Sequence, residues 1–429
     1  MDLRCRIDGY FVVVGLMMGC LIGTCVNGDS NGDSVGAPMV KTEQDALYSA
    51  IQGFVGNWWN GSDLYPDPCG WTPIQGVSCD VFDGFWYVTD LSIGQIYDNS
   101  LPCAPNLEFR PQFFQLKRLK SLTFSNCIIS QNQATVSLQT ADWDSFSSTL
   151  ESLEFRANPG LSGQVPTAFG SLKNLQSLVL IDNRLSGSLP VSIGNLTCLK
   201  RLVMSGNLFT GKIPENYGYL SGLLIMDLSR NLLSGNVPLT FGGLTSILKF
   251  DLSKNQLEGV IPSEISNLKS LTLLDLSNNN ISGGLNFSIQ EMSSLEELVL
   301  SNNPINGDLV DFNWQNVYKL MVLDLSNTGL TGVVPESVSN LKNLRFLGLN
   351  DNKLSGSLSP KLAELGNLTA LYVHGNNLTG DLKFPREFYQ KMGRRFGAWN
   401  NSNLCFPISK VSSRVRPFGM ESRCLFWMK

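Results

Sequence analysis

From Asn158 to Asn376 one phrase, L-x-x-L-x-L-x-x-N-x-L-x-G-x-[ILV], returns every 24 or 25 residues, with its asparagine position at 158, 183, 207, 231, 255, 279, 303, 328, 352 and 376. A period of that length makes each repeat a small unit that cannot bury its own apolar face, so neighbours must stack into one linear core. Thr328 stands in for asparagine at one station. Upstream, Cys127 takes the same place in Leu119-x-x-Leu122-x-Phe124-x-x-Cys127, with a longer step of 31 residues to Asn158, and a degenerate coil around Val88, Leu91 and Ile93 precedes it.

Pairs such as Leu178/Leu180 and Leu274/Leu276 are two residues apart, so on a short strand both point into the coil interior. Each buried Leu contributes roughly 1.5–3 kcal/mol. One strand per coil stacks into a parallel sheet. At the bend after the strand, a buried Asn can satisfy backbone groups that the turn leaves unpaired, and losing such a partner costs about 1–3 kcal/mol. The Gly four residues on (Gly187, Gly211, Gly235, Gly259) allows a tight backbone path. The Pro that follows (Pro166, Pro190, Pro214, Pro238, Pro262, Pro335) fixes an extended segment where a missing N–H matters least. An ordinary Leu-rich globule does not keep this period. The fold is a leucine-rich-repeat solenoid of mostly short parallel strands, with about 11–12 coils over residues 87–384.

Asn207-Leu208-Phe209-Thr210-Gly211-Lys212-Ile213-Pro214 resembles the plant-type extracellular repeat, whose solenoids are twisted superhelices. Asp67-Pro-Cys69-Gly-Trp71, followed by Gly76-Val-Ser-Cys79, resembles the paired-cysteine amino-terminal cap of plant repeat ectodomains, which implies a Cys69–Cys79 disulfide. Caps are required because an open solenoid end exposes core. The amino-terminal cap is placed at 42–86, beginning with an amphipathic helix through Ala46, Leu47, Ala50, Ile51, Phe54 and Val55. Trp58, Trp59 and Trp71 are expected to pack it onto the first coil. Cys103 and Cys127 can pair to tie the atypical first coils together, and Cys405 and Cys424 suit a clip in a carboxy-terminal cap and tail at 385–429. Cys198 is left over and reads as a small buried apolar residue, or else as a reactive thiol. The segment from Gln131 to Trp143 supplies the longer step before Asn158, as a protruding partner loop or a longer convex-side segment.

Arg4 and Arg6 followed by an apolar run from Phe11 to about Val26 read as a secretory signal over 1–26, ahead of a small, polar lead-in at 27–41. Sequons at Asn60, Asn195, Asn280, Asn286, Asn367, Asn377 and Asn400 suit an exported glycoprotein. A net charge of −4 and a pI near 5.3 argue against nucleic acid as the main partner. The basic residues Arg386, Lys391, Arg394 and Arg395 read as a solvated cap surface. The expected destination is the cell surface or the apoplast. No apolar run of spanning length follows Cys424, which leaves plasma-membrane association open.

Catalytic patterns are sparse. The chain has one histidine, His374, and no G-x-S-x-G, H-E-x-x-H or phosphate-loop pattern, so it is read as a non-enzyme without metal or cofactor. Asp227, Asp251, Asp275 and Asp324 share one position of the phrase and form a column across coils rather than a glycosidase pair. The residues alternating with the buried Leu pair emerge on a concave sheet that can serve as a recognition platform. Most copies are bland, with Ser229, Ser253, Ser277, Ser301 and Ser326 in one column. The deviations are the ligand-binding candidates: Arg156, Val179, Ile181, Arg201 and Val203 toward the amino end, and Phe346, Asn350, Tyr372 and His374 toward the carboxy end. On this assignment Leu276→Asp disrupts the array, whereas Ser277→Asp is nearly neutral.

The cap, the repeats and the end segment Asn401-Ser-Asn-Leu-Cys405-Phe-Pro-Ile, with Pro417-Phe-Gly-Met-Glu-Ser-Arg-Cys424, resemble plant receptor-like proteins over roughly residues 42 to 424. Within that family the likeness is to a type linked to root colonisation by a beneficial fungus. It implies a kinase-less surface protein that binds a protein, peptide or glycan ligand and signals through a membrane receptor-kinase partner. The alternative is a secreted inhibitor of microbial cell-wall-degrading enzymes, since polygalacturonase inhibitors use a similar solenoid.

Overall fold

The computed structural model describes residues 37–95, 103–129, 135–139, 141–285, 287–310 and 312–405. The expected signal, most of the lead-in, Asn286, Cys424 and the tail beyond Cys405 lie outside them. Among the described residues the strands of successive coils join into one fourteen-stranded sheet. Its first two strands, Val77–Phe82 and Phe85–Gly94, form an antiparallel hairpin, and every later pairing is parallel. The register is one repeat per step: Met226 lies beside Leu202 on one side and Phe250 on the other.

On the opposite side each coil closes through a 3-10 turn such as Pro190-capped Val191–Asn195 or Pro262-capped Ser263–Asn267. In both, the proline sits in extended conformation immediately before the turn. These turns need more room than strands spaced by about 4.8 Å, so the array curves with the long sheet inside. The L-x-G segments add a second, six-stranded parallel sheet from Ser162–Gly163 to Asn280–Ser282, made possible by glycines such as Gly211 at φ 78°.

The asparagine stations build a ladder. The Asn255 side-chain amide donates to the Leu228 carbonyl of the preceding coil (3.0 Å) and to Leu252 of its own (3.1 Å), while its Oδ1 accepts the Leu233 N–H at 3.1 Å. Asn231, Asn279, Asn303, Asn352 and Asn376 repeat the donor pattern. The residue before each ladder Asn turns the corner in the left-handed region, with Arg230, Lys254, Asn278 and Asn302 at φ 54, 54, 56 and 57°. Such a turn costs a side-chain-bearing residue energy that the ladder offsets.

The array runs further than its Leu rhythm. Asn401 donates to Val373 (3.0 Å) and Ala398 (3.1 Å) and accepts the Leu378 N–H, as a ladder station does. Phe396–Gly397 joins the long sheet beside Ala370–Tyr372, and Asn403–Cys405 pairs with Asn377–Asp381. A full coil therefore lies beyond the boundary expected at residue 384. Its turn is replaced by the helix Arg386–Met392, which buries Phe388, Tyr389 and Met392 and leaves Arg386, Lys391, Arg394 and Arg395 exposed.

At the other end, the helix Lys41–Val55 buries the apolar stripe read from its spacing. Phe54 packs edge-on against Phe109, Phe113 and Phe124. Of the three cap tryptophans only Trp59 is buried; Trp58 and Trp71 are 63% and 75% exposed, contrary to the expectation. Trp58 donates its indole N–H back to the Val55 carbonyl and lies over Gly56, which holds it off the coil. Cys69–Cys79 and Cys103–Cys127 are disulfides. Cys198 is half-buried rather than buried and is also disulfide-bonded, as is Cys405. In the longer step before Asn158, Trp143 plugs the core, donating to Leu138 O at 2.9 Å and meeting Phe155 and Phe169 edge-on. That part is a convex-side segment.

The Ser column also departs from expectation. Ser229, Ser253, Ser277 and Ser301 are buried, because the chain is already turning out of the strand there. The Ser277 N–H donates to Asp275 and its hydroxyl accepts from Asn278. Ser277→Asp is thus expected to cost roughly 1–3 kcal/mol and Leu276→Asp more than about 3 kcal/mol. Equal denaturant midpoints for Ser277→Asp and the parent chain would refute the burial.

Glu43 of the cap helix is buried, accepts the Val88 N–H at 3.3 Å, and is pushed up to about 7, chiefly by burial. Its folded pKa lies above its unfolded value near 4.5, so the folded state favours the protonated acid. Stability should decline as pH rises through that window. The melting temperature is expected to fall between pH 4.5 and 7, and Glu43→Gln to flatten the slope. An identical slope in both proteins contradicts the assignment.

Candidate functional site

Register places three rows of side chains on the inner sheet. The middle row, lying between the buried pair of each strand, reads Glu154, Val179, Val203, Asp227, Asp251, Asp275, Val299, Asp324, Gly348, Tyr372 and Gly397. The aspartates serve the fold: Oδ1 of Asp227, Asp251, Asp275 and Asp324 accepts the N–H of the serine two residues on, at 2.9, 2.8, 2.9 and 3.1 Å. Burial, with Asp275 and Asp227 alongside, pushes Asp251 up to about 6. Among the described residues no group of His, Cys, Asp and Glu is placed to hold a metal.

The amino-side candidates form one contiguous patch. Glu154, Val179 and Val203 lie side by side, as do Ser177, Arg201 and Ile225, and Arg156 lies beside Ile181. Arg156 pairs with Glu154 at 2.8 Å. Val179 and Val203 are 0% and 5% exposed, so they are a dry floor rather than the exposed anchors expected. Of the candidates in this patch, Ile181, Arg156 and Arg201 are half-buried and reach the surface. At the outer edge Arg230 bridges to Asp182 at 2.8 Å across Gly206, where a Cβ would strike the Asp182 carboxylate.

The carboxy-side candidates form a second patch of rings. Phe346 and Tyr372 have centroids 5.8 Å apart, Tyr372 meets His374 edge-on at 6.1 Å, and His374 stacks on Trp399 at 4.0 Å. All four are half-buried. Asn350 donates to the adjacent Asp351 carboxylate at 2.8 Å. His374, expected to be exposed, has a side chain only 17% exposed. Burial lowers its pKa against the opposing pull of Asp351, whose carboxylate is 3.7 Å from Nε2, and its Nδ1 has no partner. Gly397 makes the notch: a Cβ there would sit 2.8–2.9 Å from Trp399, His374 and Tyr372. Trp399 escaped the sequence reading because it lies past the last Leu phrase. The signal was Phe396-x-Ala398-x-x-Asn401, which keeps the spacing with other apolar residues.

The leucine rich repeat family model matches residues 137–209, 249–305, 293–354 and 318–378. Piriformospora indica-insensitive protein 2 of Arabidopsis thaliana is 56% identical over 176 residues, 40% of this chain and 39% of that protein. The chain is a leucine-rich-repeat solenoid similar to plant receptor-like proteins. Receptor like protein 29 of Arabidopsis thaliana is 34% identical over 153 residues, 35% of this chain and 32% of its own length. The chain thus spans well under half the length of the curated relatives it matches. Among solved structures, the PEPR1–AtPEP1 complex has a TM-score of 0.66 at 27% identity, covering 86% of this chain and 56% of that one. The Arabidopsis receptor kinase HAESA, in complex with the peptide hormone IDA and the co-receptor SERK1, has a TM-score of 0.55 at 26% identity, covering 86% and 70%.

Among the described residues no helix is long and apolar enough to cross a membrane. The sequon residues Asn60, Asn195, Asn280, Asn367, Asn377 and Asn400 are all exposed. Gly397→Ala is expected to displace the ring stack, lowering the near-UV circular dichroism signal while the far-UV spectrum is kept. An unchanged near-UV spectrum would show that the notch does not set the stack.

Proposed function

We propose that this receptor-like protein is an extracellular, kinase-less recognition module whose inner sheet binds a peptide or a partner receptor ectodomain and which signals through a membrane-spanning receptor kinase. The observation that carries the reading is the ladder of half-buried rings Phe346, Tyr372, His374 and Trp399 on the inner sheet. Rings held in place by packing lose little conformational freedom when a partner covers them, the property of interface anchors. A surface kept only for stability has no use for four adjacent aromatic side chains facing outward. The solved neighbours whose titles name peptide hormones support the choice of a peptide or protein over other ligands. Likeness to Piriformospora indica-insensitive protein 2 supports a role in the root response to beneficial fungi.

On this reading residues 1–26 direct export, and the protein works at the cell surface or in the apoplast with glycans on its exposed sequons. The test measures binding of the secreted chain to a panel of root receptor-kinase ectodomains by surface plasmon resonance. Tyr372→Ala/Trp399→Ala is expected to bind its partner roughly tenfold or more weakly than the parent, as loss of a central aromatic anchor implies. Equal affinity of parent and variant, or no binding to any ectodomain, would overturn the proposal.

A further inference from the structure

Among the described residues the inner sheet satisfies its own polar groups along most of its length; apart from His374 in the aromatic patch, the coil that begins with Arg201–Val203 is where it does not. Two sealed side-chain polar atoms without a partner, Nε of Arg201 and Oγ of Ser205, lie four residues apart in this coil. In the next coils an aspartate in the middle row accepts the N–H of the serine two residues on, as Asp227 does for Ser229. Here the middle row holds Val203 instead. The Arg201 guanidinium makes no ion pair and no side-chain hydrogen bond among the described residues. Its row neighbours are Ser177 and Ile225, which carry no charge. The nearest middle-row carboxylates are committed: Glu154 to Arg156 and Ser177, Asp227 to the Ser229 N–H.

A half-buried cation with one nitrogen sealed away from water and no counter-charge is costly unless an anion completes it. Beside it lies the apolar floor of Val179 and Val203, with Ile181 and Ile225 half-exposed at its edges. We infer that this patch takes an extended peptide segment in which an Asp or Glu side chain meets the Arg201 guanidinium while an adjacent apolar side chain covers Ile181 and Ile225. The sheet continues on both sides of this coil, so the peptide passes across it, which favours an internal acidic side chain over a chain terminus. The inference rests on the inner sheet being the recognition surface, and it adds a second subsite with its own chemistry, separate from the aromatic ladder.

The probe is a phage-displayed random dodecapeptide library, whose peptides carry no free carboxy terminus. It is panned in parallel on the secreted parent chain, on Arg201→Glu and on Arg201→Gln, each checked for an unchanged far-UV spectrum. The parent is expected to enrich peptides with Asp or Glu next to an apolar residue, and Arg201→Glu to enrich Lys or Arg at that place. The parent's winning peptide should bind Arg201→Gln roughly ten- to hundredfold more weakly, as loss of a charged hydrogen bond implies. The same sequences enriched by parent and Arg201→Glu would overturn this subsite and leave recognition elsewhere on the sheet intact. No enrichment by the parent would overturn both. Should Arg201→Glu fail to fold, an unchanged affinity of Arg201→Gln is the overturning result.

Discussion

Every other feature of this solenoid depends on the hydrogen bonds that each ladder asparagine makes to two coils at once. A carboxamide has two donor hydrogens and an acceptor oxygen, which suffice to join the carbonyl at the end of one strand, its equivalent one coil earlier, and an N–H in the preceding outer segment. No other side chain of that size supplies this set in one plane. The backbone groups at the bend are out of reach of the sheet and closed to water, so without the carboxamide they would be buried and unpaired. With it, the chain can take a left-handed corner at Arg230, Lys254 or Asn278 and start the outer sheet in the same direction every time. The straight register of the long sheet follows, and with it the alignment of inner side chains into rows. Thr328 tests the rule from within: its hydroxyl donates to Leu325 and its N–H to Asn352, so the neighbouring asparagine takes over part of the missing function.

The solenoid was legible in the sequence because its determinants are local and repeated. The Leu pair, the Asn, the Gly and the Pro each act within one coil, and the next coil shows the same pattern. What the sequence hid was set by contacts between coils or by a change of residue with the role kept. Val179 and Val203 alternate correctly with the core leucines and so read as exposed, yet both are buried in the folded array. The serines after the second Leu read as surface, but the backbone has begun its turn and carries them inward. Trp58 and Trp71 read as glue because they are large and apolar, whereas Trp58 is held outward by a bond to its own helix end. The final coil went unseen because Phe396 and Ala398 fill the Leu places, which hides the period from anyone looking for leucine but not from the asparagine ladder.

The candidate site was legible in part for the same reason. Deviations from a repeated row can be seen without a structure, and Arg156, Arg201, Phe346, Tyr372 and His374 were found that way. Their grouping was not. Rows alone do not reveal that Arg156 is already neutralised while Arg201 is not, since Glu154 sits on the same strand as Arg156 and two coils away from Arg201. Nor do they reveal what a glycine facing a ring makes room for: Gly397 is what lets Tyr372, His374 and Trp399 converge.

A repeat protein faces a particular conflict on its inner sheet. Stability favours a uniform row in which each polar group finds a partner in its own or the next coil, as the Asp–Ser pairs of Asp227, Asp251 and Asp275 do. Such a surface offers a partner little, because binding would have to break bonds already made. Recognition needs places where the row leaves something unfinished, and each costs stability in the free protein. On the proposed reading the chain concentrates these places at two positions, with the self-satisfied aspartate coils between them. At one, a cation lacks its anion over a dry valine floor; at the other, rings stand over glycine notches with a histidine nitrogen unpaired. The regular coils hold the two unfinished patches at a fixed separation along one rigid sheet. On that reading a partner long enough to complete both patches gains from each without ordering the surface first, whereas one that reaches a single patch gains from that patch alone.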